Sequence, residues 1–217
     1  MIDQSELRST TVYLVRHGES QLNLEKCVSG QLDISLSPAG IRQGQRLADQ
    51  LRNVTLTGIY TSALKRTIET ARPTAEQHGL SIHSKAGLNE LHMGVLQGRF
   101  RDARDPEAST IWQEHKKDKR HYRIPGGECF LDFAERVKVS LNDILAHEEG
   151  GVILIVGHRN VNRVLFGLLM QRPDADWPDL ELKSRCVYQI VTGQQPRMNI
   201  VPLMAQAKDG AMTQSVV

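Results

Sequence analysis

Two hydrophobic periods take turns along this chain. Residues 11–16, Thr-Val-Tyr-Leu-Val-Arg, are a short run of β-branched and aromatic residues that predicts a strand. A loop comes next, and Ser37-Pro38 then predicts a helix start, with serine as N-cap and proline at the first helical position. Gly44, Leu47, Ala48 and Leu51 keep helical spacing behind it. Residues 58–61 predict a short strand. Leu64, Ile68, Ala71 and Ala75 share the face of a second helix, which Pro73 is expected to kink or interrupt. Residues 81–84 read as another short strand. Phe130, Phe133, Ala134, Val137, Leu141 and Ile144 line one face of a helix predicted over 129–148, which Gly150-Gly151 ends. Residues 152–156 are continuously apolar, as a strand covered on both faces requires. A helix over 160–171 carries Val161, Val164, Leu165 and Leu168 in step; strands over 186–191 and 198–203 and a polar tail complete the chain.

Strands alternating with helices predict an α/β fold, a three-layer α/β/α sandwich with a mostly parallel sheet. The segment from about 94 to 127 breaks the rhythm. It is polar, charged and poorly periodic, and it ends in Pro125-Gly126-Gly127. It reads as a helical or loop lid inserted into a single domain spanning 1–217, folded over something rather than built into the core.

Composition narrows the function classes. The chain has 217 residues, 40% hydrophobic and 24% charged, with a formal net charge of +2. A chain of this length buries roughly 70% of its unfolded surface without needing disulfides or a metal. The charge is too mild to point to nucleic acid. No apolar stretch approaches the roughly 18 residues of a membrane helix, and the first ten residues, with two acids and no apolar core, are not expected to act as a signal peptide. Cys27, Cys129 and Cys186 are three in number and far apart, which suits unpaired thiols and a cytoplasmic protein. The sequence shows no dedicated association element, and a homodimer remains open.

In open α/β sheets ligands bind beyond the carboxyl ends of the strands, so the residues just past each strand carry the chemical interest. The first strand ends in Arg16-His17-Gly18, the second in Thr61-Ser62 with Arg66 one turn into the next helix, and the strand at 152–156 leads into Gly157-His158-Arg159. If these strands are neighbours, His17, Arg66 and His158 meet in one cationic crevice whose natural guest is a phosphate. Arginine grips phosphate through a bidentate fork, helix N-termini add N–H donors, and Gly18 is expected to let the phosphate approach the backbone. Binding alone needs no carboxylate, yet Glu90 lies in Leu-Asn-Glu-Leu-His-Met-Gly. A bound phosphate favours its protonated form, which suits a general acid. Each residue alone has a plainer role, in packing, a surface ion pair or solvation; their joint arrangement carries the chemical reading. No H-E-x-x-H, zinc-spaced Cys/His cluster, P-loop or G-x-S-x-G is present, so neither a metal nor a cofactor is expected.

Four motifs in order, R-H-G-E-S-x-x-N at 16–23, T-S-x-L-x-R at 61–66, N-E-x-x-x-G-x-x-x-G at 89–98 and V-G-H at 156–158, resemble the histidine phosphatase superfamily of phosphatases and cofactor-dependent phosphoglycerate mutases. The resemblance implies His17 as nucleophile forming a phosphohistidine, and Arg16, Asn23, Arg66 and His158 as phosphate ligands. It makes Glu90 the group that protonates the leaving oxygen and then activates water. The other ring nitrogen of His17 should donate to a backbone carbonyl. Where the family's mutases carry H-Y-G and then G-L-N-K, this chain has Met93-Gly94 and Gly98-Arg99-Phe100-Arg101. That departure favours a phosphomonoesterase acting on a small phosphorylated metabolite. A phosphoglycerate mutase and a non-catalytic phosphate-binding protein are the rivals. Gln31 and Arg159 are further candidates for substrate contact. The basic run at 115–123, with five Lys and Arg and one acid, is either a solvated surface or a lid that attracts an anion.

Overall fold

The computed structural model describes residues 9–203, so the polar tail and the first eight residues lie outside the described residues. Six strands form one sheet: β1 (Thr11–Arg16), β2 (Gly58–Thr61), β3 (Ile82–Ser84), β4 (Val152–Gly157), β5 (Cys186–Val191) and β6 (Arg197–Pro202). Their order is β3-β2-β4-β1-β5-β6. The first four in that order are mutually parallel, and β5 and β6 add an antiparallel edge.

Alternation along β4 explains why the sheet sits between two helical layers. Ile153 and Ile155 point to one face, with Val12 and Leu14 of β1. There they pack under Phe133, Val137 and Leu141 of α5 (Phe130–His147) and Val161, Val164 and Leu165 of α6 (Arg159–Leu169). Leu154 and Val156 point to the other face, with Val15 and Ile59. There they meet Leu47 and Leu51 of α2 (Pro38–Leu51) and Ala71 and Ala75 of α3 (Lys65–His78). A strand buried on both faces has no polar side to display, hence its unbroken apolar run. The fold is the three-layer α/β/α sandwich with a mostly parallel sheet.

Three local expectations need correction. Helix α3 runs continuously through Pro73. The proline removes one intrahelical hydrogen bond, but Ala71 and Ala75 on either side of it are locked into the core and hold the helix together. Residues 21–25, expected as loop, form a one-turn helix, α1 (Gln21–Glu25). The 94–127 segment is also more than a cover. It contains α4 (Pro106–Lys117), started by the Asp105 side chain accepting from the Ala108 N–H at 3.1 Å. Leu96, Ala108 and Ile124 are wholly buried in the main core. Ala108, Ile111, Trp112 and His115 do keep helical spacing, but so few apolar residues mark it that the pattern is masked by charge.

Candidate active site

Strand order decides where the chemistry gathers. β4 lies between β1 and β2, with Arg16 opposite Gly157 and Thr61 opposite Val156. The three strands end level, and the residues just beyond them, His17, His158 and Ser62, share one edge of the sheet. The His17 N–H continues the ladder by donating to the Gly157 carbonyl at 2.9 Å. The two imidazoles stand edge to face, with ring centroids 5.1 Å apart.

His17 Nδ1 lies 2.6 Å from the Gly18 carbonyl oxygen. A carbonyl only accepts, so Nδ1 carries the proton and Nε2 is left with its lone pair. Burial pushes the His17 pKa well below the ordinary histidine value, and Arg16 and Arg66 push it further, so the ring is neutral. His158 is completely buried, and burial, with the charges of Arg66 and Arg16, likewise holds it neutral. Its Nε2 bonds Ser62 Oγ at 2.8 Å.

Arg66 is fully buried, and burial lowers its pKa to about 10. Nη1 donates to the Leu32 carbonyl and Nη2 to the Gly30 carbonyl, each at 2.7 Å, so this arginine also shapes the loop at 30–32. Arg16, lowered chiefly by burial, feels both the charge of Glu90 and that of Arg159. Its Nε, the Nε of Arg66 and the Nδ1 of His158 are buried without a protein partner. Asn23 takes the Ser20 N–H on its Oδ1 at 3.2 Å, which orients its side chain and leaves the amide N–H groups free. Glu90 receives the Leu91 N–H on one oxygen at 2.8 Å and the Asn160 N–H, at the start of α6, on the other at 3.3 Å.

A cavity of about 640 Å³ has Arg16, His17, Asn23, Arg66, Glu90 and Arg159 on its wall; His158 does not line it but opens on a second cavity of about 410 Å³ that shares Arg16 and Arg159 with the first. Gln31 does not line the larger one. Its side-chain amide donates to the Glu90 carbonyl at 2.9 Å, so it supports the segment that carries the carboxylate. Gly18 has a reason of its own in the fold: a Cβ there would come within 2.6 Å of the Gly40 carbonyl oxygen, so the close approach of α2 demands glycine.

The opposite wall of the larger cavity carries Arg101 and Trp112, which sequence reasoning missed, and part of the basic run whose role it left open. Arg101 stands over the Trp112 ring with its guanidinium carbon 4.8 Å from the centroid, and Lys116 and Lys119 of the insertion reach the same cavity. Lys119 pairs with Asp179. The basic run therefore divides. Lys116 and Lys119 face the cavity, whereas Lys117 pairs with Glu114, Arg120 with Asp174 and Arg123 with Asp132 on the outside. The i, i+4 spacing of Trp112 and Lys116, with Lys119 one step on, was the available signal. Another missed residue is Arg136, which never touches the cavity and contacts the backbone around Glu90.

Among the described residues, no group of three or more His, Cys, Asp or Glu is placed to hold a metal ion. Among them, too, no helix is long and apolar enough to cross a membrane.

Residues 12–202 match the model of the histidine phosphatase superfamily, branch 1. A Yersinia pestis (strain Pestoides F) protein named "Probable phosphoglycerate mutase GpmB" is 35% identical over 162 residues, 75% of each chain. The alpha-ribazole phosphatase of Shigella flexneri superposes with a TM-score of 0.80 at 26% identity, covering 92% of this chain and all of that one. The mycobacterial glucosyl-3-phosphoglycerate phosphatase does so with a TM-score of 0.74 at 27% identity, over 90% of this chain and 99% of that one. With its motifs, its sheet order and the family match in agreement, the chain belongs to the histidine phosphatase superfamily.

Proposed function

We propose that the protein is a metal-independent phosphomonoesterase that hydrolyses a small phosphorylated metabolite through a phosphohistidine. The observation that carries this reading is the His17 Nδ1 contact to the Gly18 carbonyl, which makes Nε2 the unprotonated nitrogen of a neutral ring. In the first step Nε2 attacks phosphorus while the ester P–O bond breaks. Glu90, protonated, delivers its proton to the departing oxygen. Arg16, Arg66 and His158, with Asn23, hold the phosphoryl oxygens and offset the charge that develops on them. In the second step Glu90 takes a proton from water, the water oxygen attacks phosphorus and the P–N bond breaks. Inorganic phosphate leaves and His17 returns to its neutral form. A phosphate-binding protein without chemistry gives no role to a carboxylate beside the phosphate.

Arg101, Lys116 and Arg159 around the rest of the cavity suit a substrate that carries a second anionic group beyond the phosphate. A phosphoglycerate mutase is the second reading, favoured by the name of the Yersinia relative. Against it stand Met93-Gly94 and Gly98-Arg99-Phe100-Arg101 where that branch carries other residues. The test is a panel of phosphorylated metabolites assayed for released phosphate, beside an assay of 2- and 3-phosphoglycerate interconversion. Hydrolysis of one metabolite well above the others, with negligible interconversion, is the expected result. Interconversion faster than any hydrolysis would replace the phosphatase reading with the mutase one.

A further inference from the structure

Arg136 lies in the middle of α5, and its guanidinium reaches across to the segment that carries Glu90. Nη1 donates to the carbonyls of Gly87 at 2.9 Å and Asn89 at 2.8 Å, and Nη2 donates to the Glu90 carbonyl at 3.0 Å. The remaining edge forms a bidentate pair with Glu128, Nε to Oε1 at 2.7 Å and Nη2 to Oε2 at 2.9 Å. All five N–H donors are engaged.

Glu128 closes the circuit. Its Oε2 accepts the His92 N–H at 2.9 Å, and its own N–H donates to the His92 carbonyl at 3.0 Å. One planar group therefore grips the chain before Glu90 directly and the chain after it through Glu128. Glu128 is also where the 94–127 insertion rejoins the core. A lysine places its donors at one point and cannot span these acceptors.

The arrangement is specific to the carboxylate's backbone. Arg136 does not line the cavity, so a direct role toward phosphate is excluded by position. Its guanidinium lies over the Phe133 ring, with the guanidinium carbon 4.8 Å from the centroid, which helps fix the plane of the group. Removing it strips donors from three carbonyls and leaves the Glu128 carboxylate without its partner.

We propose that Arg136 is a positioning residue for proton transfer: it sets the reach of the Glu90 carboxyl and ties that setting to the end of the insertion. The proposal rests on the assignment of Glu90 as the acid. A carboxyl displaced by about 1 Å protonates a leaving oxygen poorly while phosphate binding and nucleophilic attack continue. The defect should therefore appear only with esters that need the proton.

The experiment compares kcat/KM for p-nitrophenyl phosphate, whose leaving group needs little help, with that for an alkyl phosphate, whose leaving group does. The proteins are wild type, Glu90→Gln, Arg136→Met, Arg136→Lys and the Glu90→Gln/Arg136→Met double variant. Glu90→Gln calibrates the scale and is expected to slow the alkyl ester about 100-fold more than the aryl ester. Arg136→Met is expected to shift that ratio by about 10-fold in the same direction, with Arg136→Lys close behind. The double variant should show the ratio of Glu90→Gln alone, because a carboxyl already removed cannot be mispositioned. Equal slowing of both esters by the Arg136 variants, with the ratio shifted in Glu90→Gln, makes Arg136 merely structural and overturns the proposal. An unshifted ratio in Glu90→Gln overturns the acid assignment itself, and the proposal with it. If Arg136→Met does not fold by circular dichroism, Arg136→Lys is judged by the same two outcomes.

Discussion

The cavity has two walls made in different ways. One wall is the sheet edge, where His17 and Arg66 stand just past a strand end or just into the next helix, at 7% and 0% exposure, with the fully buried His158 beside His17. The other is the insertion, where Lys116 and Lys119 project from a short helix, or from just past its end, with the helix's outer face in solvent. The first wall is held by ladder hydrogen bonds and by buried side-chain contacts that leave each ring or guanidinium one orientation. The second is held by a few apolar anchors and by ion pairs in water. A wall of the first kind suits chemistry, which needs geometry fixed to a fraction of an ångström. A wall of the second kind suits recognition, where a charge a few ångströms away still attracts.

Removing the nucleophile breaks this comparison most severely. His17→Ala should lower hydrolysis of a chromogenic phosphate ester by about 10⁴-fold or more, while the wild-type rate should survive a strong chelator. Robust turnover by His17→Ala would move the chemistry off the sheet edge. A wild-type rate lost to the chelator and restored by added metal would remove the metal-independent mechanism.

The sheet edge also makes a pH-dependent stability. His17 and His158 both have pKa values well below the ordinary histidine value, because burial disfavours the charged ring. The unfolded chain binds protons on these groups below about pH 6.5, and the folded chain does not. Stability conferred by the neutral rings is therefore complete above about pH 6.5 and falls as pH drops, by up to about 1.4 kcal/mol per pH unit for each histidine. Urea unfolding between about pH 7.5 and 5 should show that slope, and His158→Gln should reduce it. A slope unchanged in His158→Gln would mean that other groups govern acid unfolding.

How much of this is legible in the sequence differs between the walls for the same physical reason. β1 and β4 announce themselves as apolar runs that stop at a charged or polar residue. Parallel topology then forces the residues after those runs onto one edge, so His17, Arg66 and His158 can be brought together on paper. α4 hides because its core contact needs only Ala108, Ile111, Trp112 and His115, diluted among charges. Arg136 leaves no trace at all. At its place in α5 it reads as an ordinary polar position of an amphipathic helix, and its acceptors are backbone carbonyls, which every residue has. Gln31 and Gly18 show a related limit. Both stand out in the sequence by position, but what surrounds them, the Glu90 carbonyl for one and the Gly40 carbonyl for the other, belongs to tertiary structure.

The smallest expected effect tests whether the second wall recognises rather than reacts. Lys116 faces the cavity from α4 and has no ion-pair partner among the described residues. Lys116→Ala should raise KM about 3- to 5-fold for a phosphorylated carboxylic acid, since one exposed cation is worth at most about 1 kcal/mol. It should leave kcat nearly unchanged, because the phosphoryl group and its ligands lie on the other wall. With p-nitrophenyl phosphate, which has no second anion, both constants should stay near wild type. A fall in kcat on both substrates would mean that the insertion takes part in the chemical step. The two walls would then act as one device, and the ion pairs that anchor the insertion from outside, such as Arg120 with Asp174, would become the next residues to vary.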